Sequence, residues 1–165
     1  MALALAASAC NGAGSPVPKA GANIINVDSR SIGHVTLTEV PKGVRLDLQV
    51  SGLAAGRHGL HIHSMGRCDP PDFRSAGPHF DPDGRRHGAK NPEGRHGGDL
   101  PNLEVDGSGH ADLDFLIEGA TLADGPHSLL LPEPRSIVIH ADPDDELTDP
   151  AGKSGARIAC GILQR

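Results

Sequence analysis

The chain has 165 residues, a formal net charge of −6, 22 Gly and 14 Pro, but only 3 Phe and no Trp or Tyr. That length fits one domain with a real core, whereas so few aromatic rings on an acidic chain exclude a nucleic-acid binder that works by base stacking and phosphate neutralisation. No apolar run approaches the roughly 18 residues of a membrane span, so no transmembrane span is expected.

Residues 1–9 read MALALAASA, with Ala7, Ser8 and Ala9 just before Cys10. Small side chains there suit a signal-peptide cleavage site, and the Cys after it suits a lipobox, which makes Cys10 a lipidation candidate. A frayed, Ala-rich terminus with a free thiol is the plainer alternative. Residues 10–21 are small, polar and Pro-containing, as in a flexible tether, so the folded domain is expected over 22–165. Short runs of alternating character then recur at 23–28, 32–40, 44–50, 58–63, 102–106, 111–117, 136–141 and 157–163. Val44, Leu46, Leu48 and Val50 give the cleanest period of two. Pro41-Lys42-Gly43 and Asp106-Gly107-Ser108-Gly109 are short hairpin connections. No helical stripe is sustained, so eight short strands predict an all-β sandwich or barrel. Residues 64–101 break the pattern: they are rich in Gly and Pro, and a loop so long in one domain is either functional or disordered. Residues 118–135 and 141–156 form two further long connections.

The three cysteines, Cys10, Cys68 and Cys160, make an odd count. An exported protein would pair two and use the third otherwise. Pairing Cys68 with Cys160 closes a long loop worth about 4–5 kcal/mol by chain entropy and leaves Cys10 for the lipid. Other pairings remain open on counting alone, and a reducing compartment would leave three thiols.

Ten histidines are the outstanding feature. His61 and His63 stand two apart in a strand and so share its outer face, with Leu60 and Ile62 directed at the core. His79, His87, His96 and Asp99 follow in the irregular loop, and Gly97-Gly98 lets the backbone turn His96 and Asp99 toward one ion. Imidazole suits copper and zinc, and a His-plus-Asp set without thiolate favours tetrahedral zinc. A bound ion would order residues 64–101 where apolar burial cannot. His58, on the core face, reads as a hydrogen-bonded structural residue, and His34, His110 and His127 as solvated ones.

The segments GRHGLHIH (56–63), SAGPHFDP (75–82), RHGGDLPN (95–102), SIVIHADPDD (136–145) and KSGARIACGI (153–162) resemble the copper/zinc superoxide dismutase family in its bacterial exported form, in order from about residue 23 to 163. The resemblance implies an eight-stranded Greek-key sandwich or flattened barrel with long metal-ordered loops, and one copper and one zinc ion per chain. It makes His61, His63, His79 and His140 copper ligands, and His79, His87, His96 and Asp99 zinc ligands, with His79 shared by both. It implies a Cys68–Cys160 disulfide, Arg157 as the cation that meets superoxide, and Asp144 as the carboxylate joining a copper ligand to a zinc ligand. The implied reaction is dismutation of superoxide to dioxygen and hydrogen peroxide, as copper is alternately reduced and reoxidised. The implied location is periplasmic or at the cell envelope, lipid-anchored if Cys10 is acylated; monomer and homodimer are both compatible with the sequence. The chain departs from the family in Leu60, where Phe is common, and in the acidic run Asp142-Pro143-Asp144-Asp145-Glu146. Lys153 is a second, weaker candidate for drawing in the anion. A secreted copper- and zinc-binding protein without activity is the alternative reading. A zinc hydrolase fits less well, since every zinc position would be filled by protein.

Overall fold

Alternating side chains build the sheet. In β3 (Gly43–Ser51), Val44, Leu46, Leu48 and Val50 are buried while Arg45, Asp47 and Gln49 face water, so one face is bound to seek a partner surface. The computed structural model describes residues 17–165; the leader, the lipobox with Cys10 and most of the tether lie outside the described residues. The strands are β1 (Lys19–Asn26), β2 (Ser31–Val40), β3, β4 (Gly56–His58), β5 (Leu60–His63), β6 (Leu103–Val105), β7 (His110–Glu118), β8 (Ser136–His140) and β9 (Arg157–Ile162). Apart from one 3-10 turn at Arg74–Ala76, no helix occurs among the described residues.

Seven strands form a curled sheet in the order β5-β8-β9-β1-β2-β3-β7, and β4 pairs with β6 in a second, short sheet. β6 runs through a tight turn into β7, where Asp106 N–H donates to His110 O at 2.9 Å. The short sheet thus extends the β7 edge around the core, as the expected flattened Greek-key barrel requires. Its interior holds Ile24, Leu37, Leu46, Leu48, Leu60, Ile62, Leu103 and Ile137, each at most 1% exposed. Burying one such side chain contributes about 1.5–3 kcal/mol.

Two boundaries differ from the sequence reading. The expected strand 58–63 is two strands, because the chain passes from one sheet to the other at Gly59. There Gly59 N–H donates to Asp142 O and Gly59 O accepts from His140 N–H, and an added Cβ would lie 2.7 Å from Ser154 Cβ. Among the described residues nine strands therefore replace eight. β1 begins at Lys19, so residues 19–21 of the expected tether are paired with Thr38–Thr36 of β2. Ala20 and Ala22 are its inward residues and are too small to register as an apolar alternation.

The irregular segment 64–101 is ordered against two surfaces. Its first part packs Phe73 and Ala76 onto Val138 and Cys160 on the outer side of the sheet, where the Cys68–Cys160 disulfide joins it to β9. Its later part lies along the free edge of β5. Phe80 N–H donates to Ile62 O, Ile62 N–H donates to Gly98 O, and the backbones of His79 and Asp99 pair with those of His63 and His61. A register shift between Ile139 and His140 sets His140 opposite Arg157 across β8 and β9.

Candidate metal centre

β5 presents His61 and His63 on one face, as the two-residue spacing predicts, but that face is not solvated. The loop laid along the β5 edge covers it, and both histidines are completely buried. His79 and Asp99 arrive from the loop and His140 from the end of β8. His87 and His96 come from the same loop, so all seven expected ligands converge.

On one side, each of four rings has one nitrogen occupied and one free. His61 donates from Nε2 to Asp144 Oδ2 at 2.8 Å, and His63 from Nδ1 to Gly77 O at 2.8 Å. His79 donates from Nδ1 to Asp99 Oδ1 at 2.9 Å, and His140 from Nδ1 to Gly155 O at 3.3 Å. An imidazole that donates from one nitrogen keeps its lone pair on the other. Those others, His61 Nδ1, His63 Nε2, His79 Nε2 and His140 Nε2, are buried without a hydrogen-bond partner. One donor atom from each of these four residues lies within 4.8 Å of the rest. A buried polar atom without a partner costs roughly 1–3 kcal/mol, so four aimed at one point fit a cation with imidazole ligands, and copper suits such a set.

On the other side, one carboxylate organises three rings. Asp99 Oδ2 accepts from the backbone N–H groups of Gly88 and His96. That leaves Oδ1 to face His79 Nδ1 at 2.9 Å, His87 Nδ1 at 3.0 Å and His96 Nδ1 at 3.3 Å. Zinc–ligand bonds of about 2.0–2.1 Å in a tetrahedron separate neighbouring ligand atoms by about 3.3–3.4 Å. The three spacings from Oδ1 lie at or inside that edge, as zinc ligands would; the donor atoms of His61, His79, His87 and Asp99 lie within 4.8 Å of one another, and His96 adjoins them through Asp99. Asp144 spans the two sides, with Oδ2 on His61 Nε2 and Oδ1 on His87 Nε2 at 3.0 Å.

Charge follows the same division. Burial drives three imidazoles toward neutrality: His79 falls to about 4, His140 to about 3, and His63 well below its ordinary value. Burial also opposes charge on His87, but hydrogen bonds to Asp144 and Asp99 overcome it and raise His87 to about 9. Burial likewise opposes charge on His96, and Asp99 outweighs it, so His96 is raised. Against the burial that would raise them, hydrogen bonds from the histidines hold Asp99 and Asp144 well below the usual carboxylate range.

Over His63 and His140 opens a cavity of about 700 Å³, whose wall includes Arg157, Arg135, Asp81 and Ala151. Arg157 is half-buried and anchored by Nη1 to Phe73 O at 2.8 Å and Nη2 to Gly77 O at 2.7 Å. Lys153 does not line this cavity; it is exposed and lies 3.7 Å from Asp145. The acidic run is likewise turned away. Asp145 accepts from Leu147 and Thr148, Glu146 faces Lys90 at 3.2 Å and Arg57 at 3.8 Å, and none of residues 142–146 reaches the cavity wall.

Several contributors escaped the sequence reading. Asn102 is buried and grips the Asp144 backbone from both ends, accepting from Asp144 N–H at 2.7 Å and donating to Asp144 O at 2.9 Å. Its only cue was its place in RHGGDLPN. Gly152, with φ +60, closes over the carboxylate; a Cβ there would collide with Asp144 Oδ1 and lie 2.7 Å from His87 Nε2. Arg135 gave no signal beyond preceding a strand. Of the histidines read as bystanders, His58 is buried between His140 O at 2.7 Å and Ala54 O at 2.9 Å. His34 is exposed, and His110 and His127 sit at the surface beside Asp112 and Asp83.

Comparison with known proteins locates this arrangement. The profile of the family described as Copper/zinc superoxide dismutase (SODC) matches residues 31–163. The chain is 42% identical over 148 residues to "Superoxide dismutase [Cu-Zn] 1" of Aquifex aeolicus, covering 88% of each. It is 42% identical over 176 residues to "Superoxide dismutase [Cu-Zn]" of Deinococcus radiodurans, covering 99% of this chain and 93% of that one. Among solved structures, a double mutant of a superoxide dismutase-like protein from Bacillus subtilis superposes with a TM-score of 0.85 at 37% identity, over 88% of this chain and 97% of the other.

Proposed function

The chain belongs to the copper/zinc superoxide dismutase family, and from that membership and the donor set we infer that it is an oxidoreductase that dismutates superoxide with copper and zinc. One superoxide gives up an electron and leaves as dioxygen; a second takes that electron with two protons and leaves as hydrogen peroxide. Copper, when bound, supplies the one-electron couple, and zinc, which has no second accessible state, supplies charge and order.

His61, His63, His79 and His140 are the copper ligands in this reading, and His79, His87, His96 and Asp99 the zinc ligands. What supports it is the set of four buried nitrogens without partners beside three rings converging on Asp99 Oδ1. His79 belongs to both sets, so its Nε2 is the atom placed to hold a proton and pass it on. Asp144 keeps His61 and His87 in their tautomers and orientations, as partners of metal-bound imidazoles do. Arg157 offers directed N–H donors to a small anion at the cavity wall while its two carbonyl anchors fix the guanidinium.

Export completes the reading. Residues 1–9 act as a leader, Cys10 carries the lipid and the residues between it and β1 tether the domain in the periplasm or cell envelope, where a disulfide persists. Expression in a bacterial host should then give a membrane-associated protein that becomes soluble on Cys10→Ser, and an intact, unmodified Met1 by mass spectrometry would sink this part. Sedimentation of the soluble form separates monomer from homodimer. The function itself is tested by metal content and dismutase activity on one purified sample. One copper and one zinc with activity is the expected result; both metals without activity would turn the chain into a metal store.

A further inference from the structure

We propose that Arg135, immediately before β8, is a second anion-guiding residue for this cavity, acting beside Arg157 in place of any cation from the 141–156 loop. The proposal rests on the copper assignment above, since it concerns the approach to that site.

Arg135 and Arg157 are the arginines among the residues lining the cavity, which holds no lysine, and Asp81 is its acid. The chain as a whole carries −6, so its distant field repels an anion and attraction has to come from charges at the mouth. Seven of the thirteen other arginines and lysines are spent on carboxylates: Arg45, Arg57, Arg67, Arg74, Arg86, Lys90 and Lys153 each face one within 4.0 Å. The two cavity arginines differ. Among the described residues neither forms an ion pair, and both are held by backbone carbonyl oxygens. Arg157 donates to Phe73 O and Gly77 O, and Arg135 donates from Nη1 to Ser64 O at 2.8 Å. A carbonyl fixes a guanidinium without cancelling its charge, unlike a carboxylate. Arg135 is further immobilised over the Phe80 ring, 4.9 Å from its centroid, and Phe80 follows His79 in the chain and also lines the cavity. Its Nε is buried and makes no hydrogen bond, so the whole group is held by little besides that carbonyl and that ring. Ser64 follows His63. The guanidinium therefore rests on the residues next to two ligands, on the wall facing the anion's path. A fixed, unneutralised cation beside a low-dielectric wall focuses the field more than a mobile lysine at the surface does.

The test compares Arg135→Gln, which keeps a donor for Ser64 O and removes the charge, with Arg135→Lys, which keeps the charge. Two readouts are followed between about 0.01 and 0.15 M ionic strength, over which the Debye length shrinks from about 30 to 8 Å. They are kcat/KM for superoxide and the dissociation constant of azide at the copper-loaded protein, read from the visible spectrum. Arg135→Gln should lose about threefold in kcat/KM and in azide affinity at low salt, with both deficits closing at high salt. Arg135→Lys should recover most of each, and Lys153→Gln should match wild type. Equal losses in Gln and Lys variants, independent of salt, would reduce Arg135 to a structural prop for Ser64 and Phe80. Azide binding by the wild type stands as its own check on the copper site, so a flat response to Arg135→Gln overturns guidance alone.

Discussion

The two halves of the histidine cluster share a ring, His79, and differ in almost everything else. One half offers four lone pairs with nothing opposite them, and burial keeps the His63, His79 and His140 rings neutral. The other gathers its rings around a carboxylate that holds protons on His87 and His96. A neutral donor set leaves an ion's positive charge in place to meet an incoming anion. An anionic set cancels part of that charge and binds by electrostatics as well as by donation. In the reading proposed above, the catalytic ion belongs to the half of His63 and His140, over which the cavity opens, and the ordering ion to the half gathered on Asp99.

The sharpest break in this comparison is the shared ring. His79→Ala should lower affinity for both ions by well over the 100-fold typical of losing an outer partner and reduce dismutase activity to background, as metal analysis and an activity assay on the same sample would show. A variant that kept both ions and full activity would refute the shared ligand. Asp99→Ala should strike one half only. Zinc affinity should fall by about 100-fold or more, measured by competition with a chromophoric chelator, while copper content is kept. Acid should strike the other half in the metal-free protein. His63, His79 and His140 stay neutral in the fold below their ordinary 6.5, so the unfolded chain binds more protons and stability falls as pH drops from about 6.5 toward 4. His87 and His96, raised in the fold, are protonated in both states over that range and leave the slope unchanged. A loss of at least about 3 kcal/mol is expected by chemical denaturation of chelated protein; a flat profile would contradict the burial of these three rings. The smallest effect touches neither donor set. Arg157→Ala should keep both ions, lose about tenfold in kcat/KM at low salt and show a shallower salt dependence, and Arg157→Lys should regain part of the rate. Unchanged low-salt kinetics in Arg157→Ala would remove the guanidinium from the substrate's path.

Much of this was legible in the sequence because spacing and residue type carried it. Two histidines two apart in a strand must share a face, and a Gly- and Pro-rich segment holding His79, His87, His96 and Asp99 had to be ordered by something other than apolar burial. What was not legible depends on contacts between distant segments. That the His61–His63 face is covered follows from a backbone laid on the β5 edge by residues 79–100, which no local pattern announces. Gly59 as the point of passage between sheets, Asn102 as the clasp on Asp144 and Arg135 as a cavity cation are set by neighbours roughly 40 to 95 residues away. The acidic run looked hostile to an anion in one dimension, and folding keeps its side chains off the cavity wall.

The register shift between Ile139 and His140 carries a consequence for how this chain can change over evolutionary time. Directly opposed residues of an antiparallel pair lie on one face, so the extra residue in β9 is what brings Arg157 beside His140. Exchanging Ile158 for another apolar side chain leaves that alignment alone. Pairing Ile158 with His140 would restore a regular ladder, set Arg157 opposite Ala141 and carry the guanidinium to the reverse side of the sheet. Lineages can thus vary composition along β9 far more freely than they can vary its register against β8.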